Sequence, residues 1–337
     1  MPADAPLESA IQHGARLVEK ILNEVGKAVV GQDHLRRRLV TALMTEGHVL
    51  LEGVPGLAKT LSIRALAQAV DASFQRIQFT PDLLPSDVVG TEVFRPQTGS
   101  FDIRKGPVFA NFVLADEINR APAKVQSALL ETMQERQVTI GNTSLALPSP
   151  FFVLATQNPV EQEGTYSLPE AQLDRFLMKV TVSYPTPQEE KEMLDREILA
   201  ADRTANGQSS GIGSIERVAT LDDLKALQSL CHRIYVDDRV KRYIINLVWA
   251  TRKPAEYKLP LENLIELGAS PRASLSLLAA ARAEALLSGE HYVGPQMVKA
   301  VAPDVLRHRI ILSYEAEAQN KNADEIVRMI LDGVEVP

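Results

Sequence analysis

The sequence predicts an α/β domain built on a parallel sheet, followed by a second domain that is all α-helical. Three observations support this fold class. The chain has 337 residues, more than a single hydrophobic core usually organises. In its first half, short apolar runs rich in β-forming residues alternate with helical stretches. After Tyr184 the strand pattern fades, and helical patterns dominate.

Two helices are predicted ahead of the sheet region. Within residues 7–46, apolar side chains recur at helical spacing on two successive stripes. The first stripe consists of Leu17, Ile21, Leu22 and Val25, and the second consists of Leu35, Leu39, Val40 and Leu43.

Five apolar runs supply the predicted strands, at residues 48–51, 74–79, 112–115, 151–156 and 176–182. They are apolar on both faces, which is typical of buried parallel strands joined by crossover helices. Pro185 and Pro187 interrupt the chain directly after the last run, so we place the domain boundary there. The predicted domains are residues 1–185 and residues 186–337. In the second, a Ser/Gly-rich loop at 204–214 precedes helices that begin near Leu221.

Two further segments are predicted to form β-hairpins inserted into the α/β core. Residues 82–110 have a turn at 97–100 between β-prone arms, and residues 137–147 have a Gly-Asn turn at 141–142. From the residues alone, ribbons that merely cover the sheet are the better interpretation of both.

Composition and charge exclude several classes of function. The formal net charge of −7 opposes general binding to a phosphate backbone, so no nucleic-acid partner is expected. No apolar run approaches the ~20 residues of a transmembrane helix, and the start lacks a signal-peptide layout, so we expect a cytoplasmic protein. The single cysteine, Cys231, is expected to be a small buried side chain. The six histidines show no metal-ligand spacing and are assigned no role.

The segment GVPGLAKT at 53–60 lies between the first predicted strand and the next helix. A phosphate-binding loop needs backbone N–H groups turned inward, a lysine that reaches the phosphates and a hydroxyl for Mg²⁺. Lys59 and Thr60 match the last two requirements, whereas Ala58 replaces the final glycine of the general pattern. Alone, the segment is equally compatible with an ordinary strand-to-helix turn, and its strand–loop–helix setting favours phosphate binding.

A second motif ends the strand at 112–115 with two adjacent carboxylates, Asp116 and Glu117. Two neighbouring anions are costly unless a cation or a proton-accepting role offsets them. In a nucleotide site the first would hold Mg²⁺ and the second would polarise water. The alternative is a solvated strand end or a helix cap, but the preceding phosphate loop favours the nucleotide site.

Two more candidates follow later strands or turns. Gln157 and Asn158 end the strand at 151–156, where an amide can contact a γ-phosphate, although Asn-Pro alone is more often a turn. Arg175 directly precedes the last predicted strand. A lone arginine beside Asp174 would ordinarily be an exposed surface residue.

These elements, in this order, resemble the AAA+ class of P-loop NTPases, and the amino-acid sequences of six segments are similar to those of the MoxR family. The segments are GVPGLAKT, LADEINRAP, LLETMQE, ATQNP, EAQLDRF and GASPRA. The resemblance extends from Val29 to the C-terminus and includes the Ala58 departure. It implies an AAA+ parallel-sheet core followed by an all-α lid domain.

The resemblance also implies roles for particular residues. Asp116 and Glu117 correspond to Walker B, Asn158 to sensor 1 and Arg272 to sensor 2. Arg175 corresponds to an arginine finger that acts on the neighbouring subunit's nucleotide. Among the ATP-binding residues that the resemblance implies, Gln32 lies near adenine together with Val30 and Gly31. The others form the phosphate loop: Gly53, Val54, Pro55, Gly56, Leu57, Ala58, Lys59 and Thr60. Mg²⁺ would be held through Thr60 and Asp116. For Arg120 two roles are considered equally, a place at a subunit interface and a structural ion pair within the chain.

The function implied by this resemblance is ATP hydrolysis by a ring, with a hexamer expected, that remodels or matures a partner protein. A von Willebrand A domain protein is one candidate client, cofactor or metal insertion is one candidate task, and the two hairpins would be levers facing the pore or the partner. A nucleic-acid motor of the related helicase branch is an alternative that the acidic charge disfavours. A chelatase-type subunit that scarcely turns over ATP is another, disfavoured by the intact Asp116, Glu117 and Arg175.

Overall fold

The computed structural model describes residues 7–53, 59–97, 99–158, 165–205 and 214–337, with the backbone alone for 199–205. The strands are β1 (Val49–Glu52), β2 (Phe74–Gln78), β3 (Gly90–Arg95), β4 (Ser100–Lys105), β5 (Phe112–Asp116), β6 (Gln137–Ile140), β7 (Thr143–Ala146), β8 (Phe152–Gln157), β9 (Met178–Thr181), β10 (Ile265–Leu267) and β11 (Ile311–Leu312). The helices are α1 (Leu7–Ala28), α2 (Asp33–Met44), α3 (Lys59–Ala69), α4 (Pro85–Val89), α5 (Ala123–Glu135), α6 (Glu170–Leu173), α7 (Pro187–Ala205), α8 (Leu221–Arg233), α9 (Asp238–Arg252), α10 (Pro271–Leu287), α11 (Pro295–Leu306), α12 (Tyr314–Ala318) and α13 (Ala323–Gly333).

The central sheet is parallel, in the order β2-β5-β8-β1-β9. Alternate side chains of its strands enter two hydrophobic cores. Leu114 and Leu154 face the core that includes α1, α2, α3 and the C-terminal helices, whereas Val113 and Val153 face the core that includes α5. Because both faces are covered, the middle strands carry apolar residues at every position, as the sequence indicated.

The prediction of a strand buried on both faces is wrong for β2. This strand lies at the edge of the sheet, beside β5, and its Gln75, Arg76 and Gln78 are exposed while Ile77 is buried. An edge strand is covered less completely than an inner one, so polar side chains are tolerated there.

Both predicted hairpins are confirmed as antiparallel ribbons, β3 with β4 and β6 with β7. Gly90 begins the first ribbon with φ 107°, and a Cβ atom there would overlap the carbonyl oxygen of Arg104, so this position requires glycine. In the first ribbon, Phe94 and Phe101 pair across the strands with ring centroids 5.2 Å apart, and both rings are at least half exposed.

The C-terminal part is helical, as predicted, and also contains a short antiparallel ribbon, β10–β11, that the sequence did not reveal. Thr220 caps α8 by accepting a hydrogen bond from the Asp223 amide, and Ser270 caps α10 in the same way through Arg272. Cys231 is buried, as predicted, and burial raises its pKa to about 12.

The N-terminal helices pack against the C-terminal helices as well as the sheet. A buried arginine of α2, Arg38, donates to Glu284 of α10 at 2.9 Å and to Asp304 of α11 at 2.6 Å. One hydrophobic core spans these elements, so the division at residues 185 and 186 stays a prediction. None of the helices within the described ranges combines the length and apolar character needed to cross a bilayer.

Candidate functional site

The carboxyl edge of the sheet gathers the predicted nucleotide-site residues. Gly53, Asp116 and Asn158 follow or end β1, β5 and β8, which are neighbours in the sheet. The Gly53 amide donates to the Gln157 carbonyl at 3.4 Å, and Asn158 is buried. Because parallel strands end at one edge, three motifs that are distant in sequence meet there.

Gly53 has a steric reason to be glycine. A Cβ atom at this position would lie 2.9 Å from the Val182 carbonyl oxygen, next to the end of β9. The chain can therefore turn out of β1 only without a side chain at this position. The following residues of the motif, Val54, Pro55, Gly56, Leu57 and Ala58, lie outside the described residues.

Lys59 begins α3 and points back toward this turn. Its Nζ donates to the Gly53 carbonyl oxygen. Partial burial lowers its pKa, while the carboxylates of Asp116, Glu117 and Glu52 raise it in part. The ammonium group therefore lies in a partly desolvated place that faces acidic groups. Thr60, the next residue, is partly buried in the first turn of α3.

The Asp116 carboxylate is held on both oxygens. Oδ1 accepts a hydrogen bond from the Thr156 hydroxyl at 2.6 Å. Oδ2 accepts two from the Arg76 guanidinium, from Nε at 3.0 Å and from Nη2 at 2.6 Å. Its side chain is 15% exposed, so these donors replace much of its hydration.

Glu117 adopts a left-handed backbone conformation, with φ 57° and ψ 50°. This conformation costs a residue with a Cβ about 1–2 kcal/mol and is retained where the surroundings require it. The amide donates to the Thr156 hydroxyl at 2.8 Å, and Oε2 accepts from Gln78 Nε2 at 2.7 Å. Arg120 Nε lies 3.1 Å from the same oxygen, which is the internal ion pair considered for Arg120; a role at a subunit interface stays untested.

Three residues in this network were missed by the sequence motifs: Arg76, Gln78 and Thr156. Arg76 and Gln78 alternate along β2, so they lie on one face of the strand beside Leu114 and Asp116. Thr156 is a polar residue in an otherwise apolar run. A buried hydroxyl there, two residues before Asn158, was the available signal.

Gln32 also lies near the carboxyl edge. Its side-chain amide donates to the Ser183 carbonyl at 3.2 Å, just beyond the end of β9. Gly31 and Gln32 both have positive φ, 62° and 54°, in the turn between α1 and α2. This turn therefore lies beside Ser183, which follows β9, and the contact with adenine stays a prediction.

Arg175 and Arg272 lie at the opposite, amino edge of the sheet. Arg175 precedes β9, and a cavity beside it is lined by Arg272, Asp174 and His48, which precedes β1. The four residues of β1 alone extend over about 13 Å. Within one chain, Arg175 and Arg272 are therefore separated by the length of the sheet from Lys59 and Asp116.

The two arginines differ in how they are held. Arg175 Nη1 donates to the Leu130 carbonyl at 3.0 Å, while its buried Nε has no hydrogen-bond partner among the described residues. Arg272 is 51% exposed, with Nη1 3.8 Å from Asp174 Oδ2. Asp174 also accepts from Ser270 at 2.8 Å and from the buried Arg309 at 2.8 Å. The lid is therefore tied to the residue next to Arg175.

The residues at the carboxyl edge fit a magnesium ion. Mg²⁺ prefers hard oxygen ligands, and the Thr60 hydroxyl and the Asp116 carboxylate are of that kind. The Asp116 carboxylate is paired with the Arg76 guanidinium in the folded chain.

Comparisons with known proteins agree with this geometry. Residues 48–178 match the ATPase family associated with various cellular activities (AAA), and residues 261–330 match the AAA lid domain. Chaperone MoxR1 of Mycobacterium tuberculosis is 48% identical over 321 residues, which cover 95% of this chain and 82% of that protein. Protein MoxR of Methylorubrum extorquens is 32% identical over 349 residues, covering 100% and 98% of the two chains.

A solved structure gives the same result. The crystal structure of a Cytophaga hutchinsonii protein inferred to be an ATPase has a TM-score of 0.89 and 47% identity to this chain, covering 98% of both. The family matches include both the sheet region and the lid, and the relatives extend over nearly the whole chain. This chain therefore belongs to the MoxR family of AAA+ ATPases.

Proposed function

We propose that this chain hydrolyses ATP to ADP and phosphate as a ring of six copies and uses the energy to remodel a partner protein. The observation that carries the proposal is the separation of the site into two edges. The carboxyl edge holds Lys59, Asp116 and Glu117, and the amino edge holds Arg175 and Arg272. A head-to-tail ring would join one subunit's carboxyl edge to its neighbour's amino edge.

Each residue at the carboxyl edge has a role in this proposal. The segment 53–60 binds the triphosphate, with Lys59 donating to its β and γ oxygens and Gln32 beside the base. Thr60 and Asp116 would hold Mg²⁺, which would neutralise charge on the phosphate oxygens. Glu117 polarises the attacking water, and Asn158 orients the γ-phosphate. Thr156 keeps Asp116 and Glu117 in fixed relative positions, since its hydroxyl bonds to both.

At the amino edge, Arg175 would supply a guanidinium to the γ-phosphate held by the neighbour. Such an arginine contributes about 10³–10⁵ in rate in related phosphoryl-transfer systems. We assign Arg272 to the same neighbouring nucleotide, because it borders the same cavity as Arg175. The exposure of Arg272 supports this, since its guanidinium has donor capacity available to another chain.

The proposed client is a protein. The name of the Mycobacterium tuberculosis relative, a chaperone, supports this class of partner. A von Willebrand A domain partner and a task in cofactor or metal insertion stay predictions, as does a location in the cytoplasm. The β3–β4 ribbon, with its exposed Phe94 and Phe101, is the candidate lever toward the client.

Phosphate release measured over a range of protein concentrations tests the proposal. Specific activity should rise with concentration, because an isolated subunit lacks its neighbour's arginine. Lys59→Ala should be inactive throughout. Specific activity that stays constant down to concentrations at which light scattering reports monomers would contradict the ring mechanism, and absence of phosphate release at all concentrations would contradict hydrolysis. Stimulation by DNA, in place of protein, would favour the nucleic-acid motor.

A further inference from the structure

The Asp116 oxygen that faces β2 is already occupied by a cation of the chain itself. Oδ1 is bound by the Thr156 hydroxyl, and Oδ2 is bound by two nitrogens of Arg76. A divalent cation that uses Asp116 therefore competes with a guanidinium for Oδ2. Carboxylate pairing with an arginine fork is among the stronger side-chain contacts, so this competition has an energetic cost.

One nitrogen of Arg76 also reaches the second carboxylate through Gln78. Arg76 Nη2, which binds Asp116 Oδ2, donates at 2.7 Å to Gln78 Oε1. The amide nitrogen of Gln78 then donates at 2.7 Å to Glu117 Oε2. A single shift of Nη2 would therefore break the contact to Asp116 and the contact that supports Gln78.

The position of these two residues allows such a shift. Arg76 is 49% exposed and lies on the edge strand of the sheet, which is paired on one side with β5. In contrast, Thr156 is buried in an inner strand. The Thr156 contacts are therefore the fixed part of the network, and the Arg76 and Gln78 contacts are the displaceable part.

Resting on the proposed function, we propose that Arg76 is a positioning residue that competes with the divalent cation for Asp116 and, through Gln78, couples cation binding to the position of Glu117. Before the cation binds, Arg76 offsets the charge of the two adjacent carboxylates. After it binds, the guanidinium is displaced and Gln78 loses the donor that aligns it on Glu117. Binding coupling of this kind is reciprocal, so weakening the Gln78 contact also favours the cation.

The test is a titration with Mn²⁺ of protein carrying one equivalent of ADP, followed by the paramagnetic resonance signal of free Mn²⁺, with the same ADP concentration without protein as the blank. Arg76→Met should bind Mn²⁺ about fivefold more tightly than the parent, the size expected for loss of a half-exposed ion pair. ADP binding in EDTA should be unchanged. Arg217→Met is the matched control, because Arg217 forms a comparable exposed pair with Asp71 at 2.7 Å.

Gln78→Leu examines the coupling separately. This variant should bind Mn²⁺ about twofold more tightly than the parent, which is part of the effect of removing the ion pair. The double variant with Arg76→Met should bind Mn²⁺ no more tightly than Arg76→Met alone. Unchanged or weaker Mn²⁺ binding by Arg76→Met would overturn the proposal, as would loss of its ADP binding in EDTA. If the effects of Arg76→Met and Gln78→Leu on Mn²⁺ binding were additive, Gln78 would have no part in the proposed coupling. If the parent binds no Mn²⁺ with ADP, the proposed function itself fails, which is a distinct outcome.

Discussion

The two edges of the sheet differ in how their charges are balanced. At the carboxyl edge, Asp116 and Glu117 are bound within the chain by Arg76, Gln78 and Thr156. At the amino edge, Arg272 and Arg309 face the Asp174 carboxylate, and Arg175 lines the same cavity as Asp174 and Arg272. The two carboxylates of the first edge are thus paired within the chain, whereas the second edge has more arginines than carboxylates among its described residues. This difference is the basis of our proposal that the amino edge serves a nucleotide held by another chain.

The largest expected effect is at the amino edge. Arg175→Ala should lower ATPase activity by at least about 10³-fold, because the developing charge on the γ-phosphate loses its guanidinium. Binding of a fluorescent ATP analogue should be unchanged. Arg217→Ala, which removes a surface arginine elsewhere, is the control and should keep the parent rate. Hydrolysis by Arg175→Ala at the parent rate would remove this residue from the mechanism.

A somewhat smaller loss is expected from the carboxyl edge. Glu117→Gln keeps the hydrogen-bonding shape but cannot accept a proton, so hydrolysis should fall by about 10²–10⁴. ATP should still bind, as calorimetry with magnesium nucleotide can determine. Retained turnover would show that Glu117 is held by Gln78 for a structural reason only.

Arg272→Ala should have a smaller effect than Arg175→Ala. Its guanidinium is half exposed and lies 3.8 Å from Asp174, so it is held less firmly than Arg175. We expect a loss of about tenfold in hydrolysis, equal to about 1.4 kcal/mol, without loss of folding as measured by thermal denaturation. An Arg272→Ala variant with full activity would restrict the amino-edge role to Arg175.

The smallest predicted effect is on stability and involves His48, which lines the amino-edge cavity. Burial lowers its pKa to about 4 from 6.5. Val153 donates to its Nδ1 at 3.1 Å, so the neutral ring is the bound form. The unfolded chain binds the proton more tightly, and stability therefore falls as pH drops from about 6.5 toward 4.

Urea unfolding at pH 7 and pH 5 measures this contribution. At pH 5 the parent should have lost about 2 kcal/mol through His48, a loss that His48→Gln should lack. Burial also lowers the pKa of His308, which acts in the same direction in both proteins and cancels in the comparison. An equal loss in parent and variant would show that His48 is not protonated on unfolding.

The sequence predicted the α/β core because each inner strand is apolar on both faces, and it predicted the carboxyl-edge site because its motifs all follow strands. It did not predict the partners of Asp116, because they depend on β2 lying beside β5, a pairing that no local pattern specifies. The placement of Arg272 with Arg175 depends on how the lid docks through Arg309 and Asp174. The β10–β11 ribbon is too short to give a periodic pattern.

The central claim is that each active site is shared by two chains, and mixing two inactive variants tests it most directly. Glu117→Gln retains its arginines, and Arg175→Ala retains its water-polarising carboxylate. If the site is shared, a random one-to-one mixture should recover about one quarter of the parent activity, since one interface in four joins two intact halves. If Arg175 serves its own chain's nucleotide, every site in the mixture stays defective and no activity returns.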